Sequence, residues 1–415
     1  MNTIVIGSGL SGLMAAYISR KRGDDVTLLT VGAGTLAQNS GGIDVLAFGE
    51  GKVPLKSPRE GIKKLPDAHP YKKIGIEHIE NAVTEFLAVM KEYGLPYRGN
   101  LDKIISVPTA IGTLKPTSFV PLSLDGSPIF NAKKIIVVGI ERLKDFYGDI
   151  LADNLSKILT DAEFQNITVD LLMPSYRDVT TIDVARFLEV KDNINKLIYA
   201  LEPYTDSDTV FLIPQILGVK DDGMYRKITE ELKAPVIETT CLPPSVNGMR
   251  IERIMRRALS DIGVNYSENA KVLRGVTDKG KVNAVVVRAM ARDIKYEGDK
   301  FILATGGFYG GGLTLESFNS PHEIIFRLPV WIPEGKENWA NTKLFSDTPQ
   351  GFATAGILTD NTLRPLDKHG NVLYKNLFVI GRNLGGYDFC FEHSGNGVAL
   401  ASAYHAAMQS VEEDG

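Results

Sequence analysis

Cysteine is nearly absent. The 415-residue chain has two, Cys241 and Cys390, far apart and in no CxxC spacing. Disulfides are therefore not expected to hold the fold, and the setting reads as a reducing cytoplasm. An iron–sulfur cluster held by this chain alone is excluded, because such clusters usually take four thiolates. The six histidines, at 69, 78, 322, 369, 393 and 405, show no metal-ligand spacing, so no metal is expected. Charge of one sign is also lacking: 46 Lys and Arg against 50 Asp and Glu leave a net −4, with no global pull toward nucleic acid or anionic lipid. No apolar run approaches the roughly 18 residues of a membrane span. Residues 4 to 18 are largely apolar, yet no basic segment precedes them and no small-residue cleavage site is evident, so a secretory signal is not expected. What remains is an ordinary soluble α/β composition, 44% hydrophobic and 23% charged. The length calls for two or three domains, with insertion of one into another allowed.

The most ordered signal is at the start. Thr3-Ile4-Val5-Ile6 runs into Gly7-Ser8-Gly9-Leu10-Ser11-Gly12, then an Ala-rich helical stretch to Gly23, then Asp25 to Thr30. A strand, a glycine turn, a helix and a second strand make a βαβ unit of dinucleotide-binding length. Gly7 permits the tight turn, Gly9 lets a pyrophosphate approach the backbone, and Gly12 lets the helix pack closely. The helix N-terminus offers free N–H groups and partial positive charge to phosphates. At Thr30, where such units commonly carry Asp or Glu for the ribose hydroxyls, a weaker hydroxyl stands instead. The polar loop Thr35 to Gly42 follows and ends in Gly41-Gly42.

Residues 51 to about 245 have another texture. Pro54, Pro58 and Pro66 break a basic connection, and Glu77 to Tyr93 has helical apolar spacing. Ile135 to Gly139 and Val210 to Pro214 read as buried strands, with a helix predicted from Leu143 to Leu159. We expect an inserted α/β cap over 51–245 between two parts of the dinucleotide-binding domain, 1–50 and 246–415. A second nucleotide fold around Val138-Gly139 lacks further glycines. Arg250, Arg253 and Arg257 share one face of the next helix; a solvated face or a protein–protein contact suits them better than a phosphate role.

Three short β pieces between Lys271 and Tyr296 then feed the strand Phe301 to Ala304, which ends in Thr305-Gly306-Gly307. Small residues there let the backbone pass close to a cofactor. Tyr309 to Gly312 is either a site loop or a plain connection. Leu377 to Gly381 is a further strand, Arg382 opens a loop, and Ser394-Gly395-Asn396-Gly397 starts a helix at Val398. A helix N-terminus there stabilises negative charge on a bound group.

The loop ending in Gly41-Gly42, with Thr30 at the strand end, resembles the flavoproteins of the fumarate reductase and succinate dehydrogenase superfamily. Many members bond the flavin covalently through a histidine, and that position falls here on Thr35. The resemblance therefore implies a flavin held without a covalent bond, beside Ser40, Gly41 and Gly42. Ala68-His69-Pro70-Tyr71, Val107 to Thr113, Lys133 to Ile140, Leu242 to Gly248, Thr359 to Pro365 and Gly385 to Asp388 together resemble the B-subunit family of anaerobic glycerol-3-phosphate dehydrogenases, over nearly the whole chain. That resemblance implies a soluble cytoplasmic flavoprotein joined to a larger catalytic A subunit. An iron–sulfur C subunit would tether the pair to the inner face of the membrane and pass electrons to quinone. The overall reaction would oxidise sn-glycerol 3-phosphate to dihydroxyacetone phosphate. The family is recorded with FMN, but FMN lacks the second phosphate and adenosine that a GxGxxG turn is shaped to hold. We expect FAD, with FMN second.

Cofactor contacts are expected at Gly7, Ser8, Gly9, Leu10, Ser11, Gly12, Thr30, Thr35, Ser40, Gly41, Gly42, Ala304, Thr305, Gly306, Gly381, Arg382, Ser394, Gly395, Asn396, Gly397 and Val398. Oxidation of a secondary alcohol needs a base within hydrogen-bond reach of its hydroxyl; His69, His393 and Arg382 are the candidates, and each also fits a structural, cofactor-positioning or phosphate-binding role. Two alternatives stand beside this reading. One is an electron-transfer and assembly flavoprotein without its own substrate site. The other is a stand-alone fumarate-reductase-type enzyme, for which no dicarboxylate-clamping set of arginines and histidine aligns.

Overall fold

The computed structural model describes residues 1–32, 34–174, 177–289, 292–316 and 320–411. The chain forms two compact units: Met1–Thr35, Asp44–Ala88 and Met255–Gly415 make the first, and Leu36–Ile43 with Val89–Ile254 the second.

The chain begins with β1 (Asn2–Ile6), α1 (Leu10–Lys21) and β2 (Asp25–Leu29). Residues 44–88 of the first unit supply α2 (Pro58–Lys63), α3 (Pro70–Ile74) and most of α4 (Ile76–Glu92). Ser57 caps α2 by accepting the Glu60 N–H, with Pro58 at the first helical position, where its missing donor costs nothing. The second unit has short antiparallel pairs, β3 (Tyr97–Gly99) with β6 (Phe119–Pro121) and β4 (Ile105–Pro108) with β5 (Leu114–Thr117). A four-stranded parallel sheet follows: β7 (Lys134–Ile140), β8 (Glu163–Val169), β9 (Thr209–Ile213) and β10 (Val236–Glu238), in spatial order β10-β9-β7-β8. Helices α5 (Gly148–Ser156), α6 (Thr181–Leu188), α7 (Asn193–Leu201) and α8 (Gly223–Leu232) belong to it. Ile135, Val137, Leu151, Leu197, Phe211 and Ile213 fill its core.

Helix α9 (Val246–Asp261) carries the chain on to β11 (Asn265–Ser267). The three β pieces become one antiparallel sheet of β12 (Lys271–Asp278), β13 (Lys281–Arg288) and β14 (Asp293–Glu297). Then come β15 (Lys300–Leu303), the two-residue strands β16 (Leu313–Thr314) and β17 (His322–Glu323), β18 (Leu377–Val379), α10 (Phe389–Glu392) and α11 (Gly395–Met408). The main sheet of the first unit is parallel throughout, in order β11-β2-β1-β15-β18. Val5 lies opposite Leu28 on one side and Ile302 on the other. Both faces are covered, so these strands read as continuous apolar runs rather than alternating ones.

This is an α/β fold with the expected parallel sheets. Three details differ from the sequence-based expectation. The second unit begins at Val89, not 51, because residues 44–88 pack against the start of α11: the Tyr71 hydroxyl donates to the Val45 carbonyl at 2.7 Å and lies 3.4 Å from the Ser394 carbonyl. Helix α5 starts at Gly148 rather than Leu143, since Leu143 is held in a parallel bridge with Val179, the Lys144 N–H donating to the Val179 carbonyl and the Val179 N–H to the Arg142 carbonyl. Arg250 is not on a solvated face. It is 1% exposed, pairs with Glu238 at 2.7 and 3.0 Å, and donates to the Gly218 carbonyl and Asn247 Oδ1. A buried guanidinium needs every donor occupied. Periodicity cannot show that the chain supplies a carboxylate at residue 238.

Candidate nucleotide site at the carboxyl edge of the parallel sheet

In the first unit the sheet reverses direction of growth between β1 and β15, and ligands of open α/β sheets bind outside the carboxyl ends of the strands at such a point. Gly7 sits there with φ +106°, and a Cβ on it would lie 2.3 Å from the Ala304 carbonyl oxygen. A Cβ on Gly12 would lie 1.8 Å from the Gly7 carbonyl oxygen. These two glycines are required by backbone-to-backbone contact. Gly9 is different: around its Cβ position no atom of the described residues lies within 4 Å. Gly9 is the N-cap of α1, makes no side-chain cap, and the first turn holds no acidic residue. Leu10 and Ser11 in that turn are buried. The result is an open backbone approach beside an uncompensated helix N-terminus, which fits a pyrophosphate.

The loop after β2 is closed by hydroxyls. Ser8 Oγ and Thr30 Oγ1 are 2.6 Å apart, each lies 2.7 Å from the Gly32 carbonyl, and Thr30 Oγ1 accepts the Gly32 N–H at 3.1 Å. Thr30, 4% exposed, is thus engaged within its own loop. Thr35 is exposed.

Across the edge, Asn383 does what no motif announced. Its Oδ1 accepts the Gly306 N–H at 2.9 Å, and its Nδ2 donates to the Gly306 carbonyl at 3.0 Å and to Thr305 Oγ1 at 3.1 Å. This fully buried amide fixes the turn after β15 to the turn after β18. Gly381, at φ +63°, has Ser11 Oγ 2.5 Å from where its Cβ would be, and its N–H donates to Ser402 Oγ at 2.9 Å. Arg382 stacks over the Phe389 ring at 3.9 Å. Helix α11 packs beside α1. Small residues suit it: a Cβ on Gly397 would meet the Tyr71 hydroxyl at 2.1 Å. Gly7 to Gly12, Thr30, Ala304 to Gly306, Gly381, Arg382 and Ser394 to Val398 are therefore linked in one unit by direct contacts.

Two of the catalytic candidates serve packing. His69, 1% exposed, caps α3 by accepting the Tyr71 N–H on Nδ1 at 3.0 Å, while Nε2 lies 3.1 Å from Glu392 Oε2. The tautomer with Nε2–H satisfies both contacts. Glu392 Oε2 also accepts from Ser394 Oγ at 2.9 Å, so His69 and Glu392 brace the residue that opens α11. His393 ends α10 at φ 50°, its ring edge-on to Phe48 at 4.9 Å.

Ser40, Gly41 and Gly42 belong to the second unit. Gly41 has φ +98°, and a Cβ on it would meet Asn247 at 2.4 Å. The Tyr97 hydroxyl donates to the Gly41 carbonyl at 2.8 Å, and Gln215 Nε2 to the Ser40 carbonyl at 3.2 Å. Gln215 Oε1 receives Ser245 Oγ and the Asn247 N–H at 3.0 and 3.1 Å. Gln215 and Asn247 were not visible as site residues, because a buried amide that ties loops together leaves no periodic trace. Among the described residues no group of three or more His, Cys, Asp or Glu side chains is placed to hold a metal.

A profile described as FAD binding domain matches residues 2–398. The chain belongs to that family, and FAD is its cofactor. Its relatives are more specific. The probable B subunit of the anaerobic glycerol-3-phosphate dehydrogenase of Halobacterium salinarum is 32% identical over 99% of this chain and 97% of its own length. The B subunit of the anaerobic glycerol-3-phosphate dehydrogenase of Aliivibrio fischeri is 28% identical over 99% and 95%. Among solved structures, 3-ketosteroid Δ1-dehydrogenase of Sterolibacterium denitrificans covers 98% of each chain at 12% identity, with a TM-score of 0.45.

Proposed function

We propose that this chain is the B subunit of an anaerobic glycerol-3-phosphate dehydrogenase. It contributes to oxidation of sn-glycerol 3-phosphate to dihydroxyacetone phosphate, with electrons leaving through an iron–sulfur partner protein to quinone. The observation that carries this reading is the 32% identity running through both units and both ends of the chain. The N-terminus of α1 with Ser8, Gly9 and Ser11 holds the FAD pyrophosphate. Thr30 closes the loop at the ribose position, and Ala304 to Gly306, Gly381 and Ser394 to Val398 approach the rest, with no covalent bond. In domain terms, the first compact unit is the flavin domain and the second is the cap. Bound FAD supplies a two-electron acceptor. His69 and Glu392 position the start of α11. No helix of the described residues is long and apolar enough to cross a membrane, and the partner proteins bring the complex to the membrane face.

A second reading, an electron-transfer flavoprotein without its own substrate site, is favoured by one observation: His69 has both ring nitrogens engaged and almost no exposure. Anaerobic reduction of the bound flavin by sn-glycerol 3-phosphate, with and without the catalytic partner, separates the two. Bleaching of the chain alone supports a substrate site here. Bleaching only with the partner supports relay. No bleaching in either case removes the dehydrogenase assignment.

A further inference from the structure

A half-buried cation in the first unit, Arg382, has no carboxylate paired with it among the described residues. Arg382 follows Gly381, whose left-handed turn stands against Ser11 in the first turn of α1. Its guanidinium lies over the Phe389 ring at 3.9 Å, with the Tyr387 ring at 5.2 Å. Nη2 reaches the Ala353 carbonyl only at 3.5 Å. Nη1 is buried and has no hydrogen-bond partner among the described residues. The carboxylates of the same loop are committed elsewhere. Asp388 accepts the N–H groups of Cys390, Phe391 and Gln350, and Glu392 serves Ser394 and His69. Gly307 packs against this residue: a Cβ there would stand 3.2 Å from the Arg382 carbonyl oxygen and 3.9 Å from Nη2.

An unsatisfied buried donor is costly, and more so when charged. Ring faces attract the cation but take none of its in-plane N–H bonds, and the Tyr387 hydroxyl that bonds the guanidinium is a neutral partner. A planar fork with one unused donor matches an oxyanion. We propose that Arg382 is the receptor for a phosphate group. That group is either the pyrophosphate of the cofactor or the phosphate ester of the substrate. The second source rests on the glycerol-3-phosphate reading, the first only on FAD binding.

The test uses the full-length protein and its R382Q and R382K variants, with far-UV circular dichroism and thermal unfolding as controls for folding. Flavin-fluorescence quenching gives the FAD affinity of the flavin-free proteins. Difference absorption of the bound flavin gives the affinity of the FAD-loaded proteins for sn-glycerol 3-phosphate and inorganic phosphate, with glycerol as uncharged control. A tenfold or greater loss of FAD affinity in R382Q, partly restored in R382K, identifies the pyrophosphate. The same loss confined to the phosphate ligands identifies the substrate ester. Should R382Q not fold, R382K carries the test, with a threefold or greater loss expected because a point charge cannot reproduce the fork. FAD and phosphate affinities unchanged in a folded variant overturn the proposal. A protein that binds no FAD at all instead overturns the cofactor assignment.

Discussion

Gly9 and Gly12 lie three residues apart in one motif, and the structure predicts opposite consequences for adding a methyl group to each. In G12A the new Cβ stands 1.8 Å from the Gly7 carbonyl oxygen, so α1 must move away from β1. Overpacking of this kind costs about 1–3 kcal/mol or more, which lowers the melting temperature by roughly 2–12 °C at about 2–4 °C per kcal/mol. In G9A no atom of the described residues lies within 4 Å of the added atom, and φ is −67° with ψ 178°, which alanine adopts freely. The only loss is a slightly poorer N-cap, about 0.5–1 kcal/mol. The flavin-free G9A protein should therefore melt within about 4 °C of wild type. The methyl occupies the open backbone approach, however, so FAD affinity should fall by about 1–3 kcal/mol, or roughly 5- to 150-fold at 1.4 kcal/mol per decade. Calorimetry of the flavin-free proteins and FAD quenching titrations measure the two effects separately. A G9A protein that binds FAD as tightly as wild type, or that is destabilised as much as G12A, refutes the assignment of that open side to the cofactor.

Further outcomes follow from other parts of the chain. N383A leaves the Gly306 N–H and carbonyl without their partner. Urea denaturation should show a loss of about 1–3 kcal/mol per unpaired group. R250M strands Glu238 at 0% exposure, and a loss of about 3–5 kcal/mol is expected for a broken buried pair. His405 and Glu323 give opposed pH dependences. Burial pushes His405 down from 6.5 to about 4, so its contribution is present above pH 6.5 and lost as pH falls toward 4. Burial pushes Glu323 up from 4.5 to about 7, so its contribution is present below pH 4.5 and lost as pH rises toward 7. In equilibrium unfolding across pH 4–7, E323Q should gain stability relative to wild type with rising pH, and H405Q should lose it. Parallel pH profiles for both variants and wild type would contradict these shifts.

The parts of this fold legible in sequence were those written in backbone conformation or periodicity. Gly7 and Gly12 announced a turn and a close helix–strand contact because only glycine tolerates carbonyl oxygens at such distances. The apolar runs at Ile4–Ile6, Ile135–Val138 and Phe301–Leu303 announced strands buried on both faces. The illegible parts depend on partners far away in the chain. Asn383 ties Gly306, 77 residues distant, to its own turn; an asparagine in a loop looks the same whether it is solvated or a clamp. Arg250 had the helical spacing of a surface charge, and only its pairing with Glu238 buries it. His69 sat in a recognisable motif, but its role as the α3 cap and Glu392 partner comes from tertiary packing. The boundary at Val89 was equally hidden, since it follows from where Tyr71 inserts.

The central claim is that this chain holds FAD without a covalent bond at the carboxyl edge of its parallel sheet. The most direct test is to purify the full-length protein, denature it, and chromatograph the released chromophore against FAD and FMN standards. All the flavin should leave the polypeptide and elute as FAD. An FMN peak, colour that stays with the denatured chain, or a folded protein that neither carries nor takes up flavin would contradict the account.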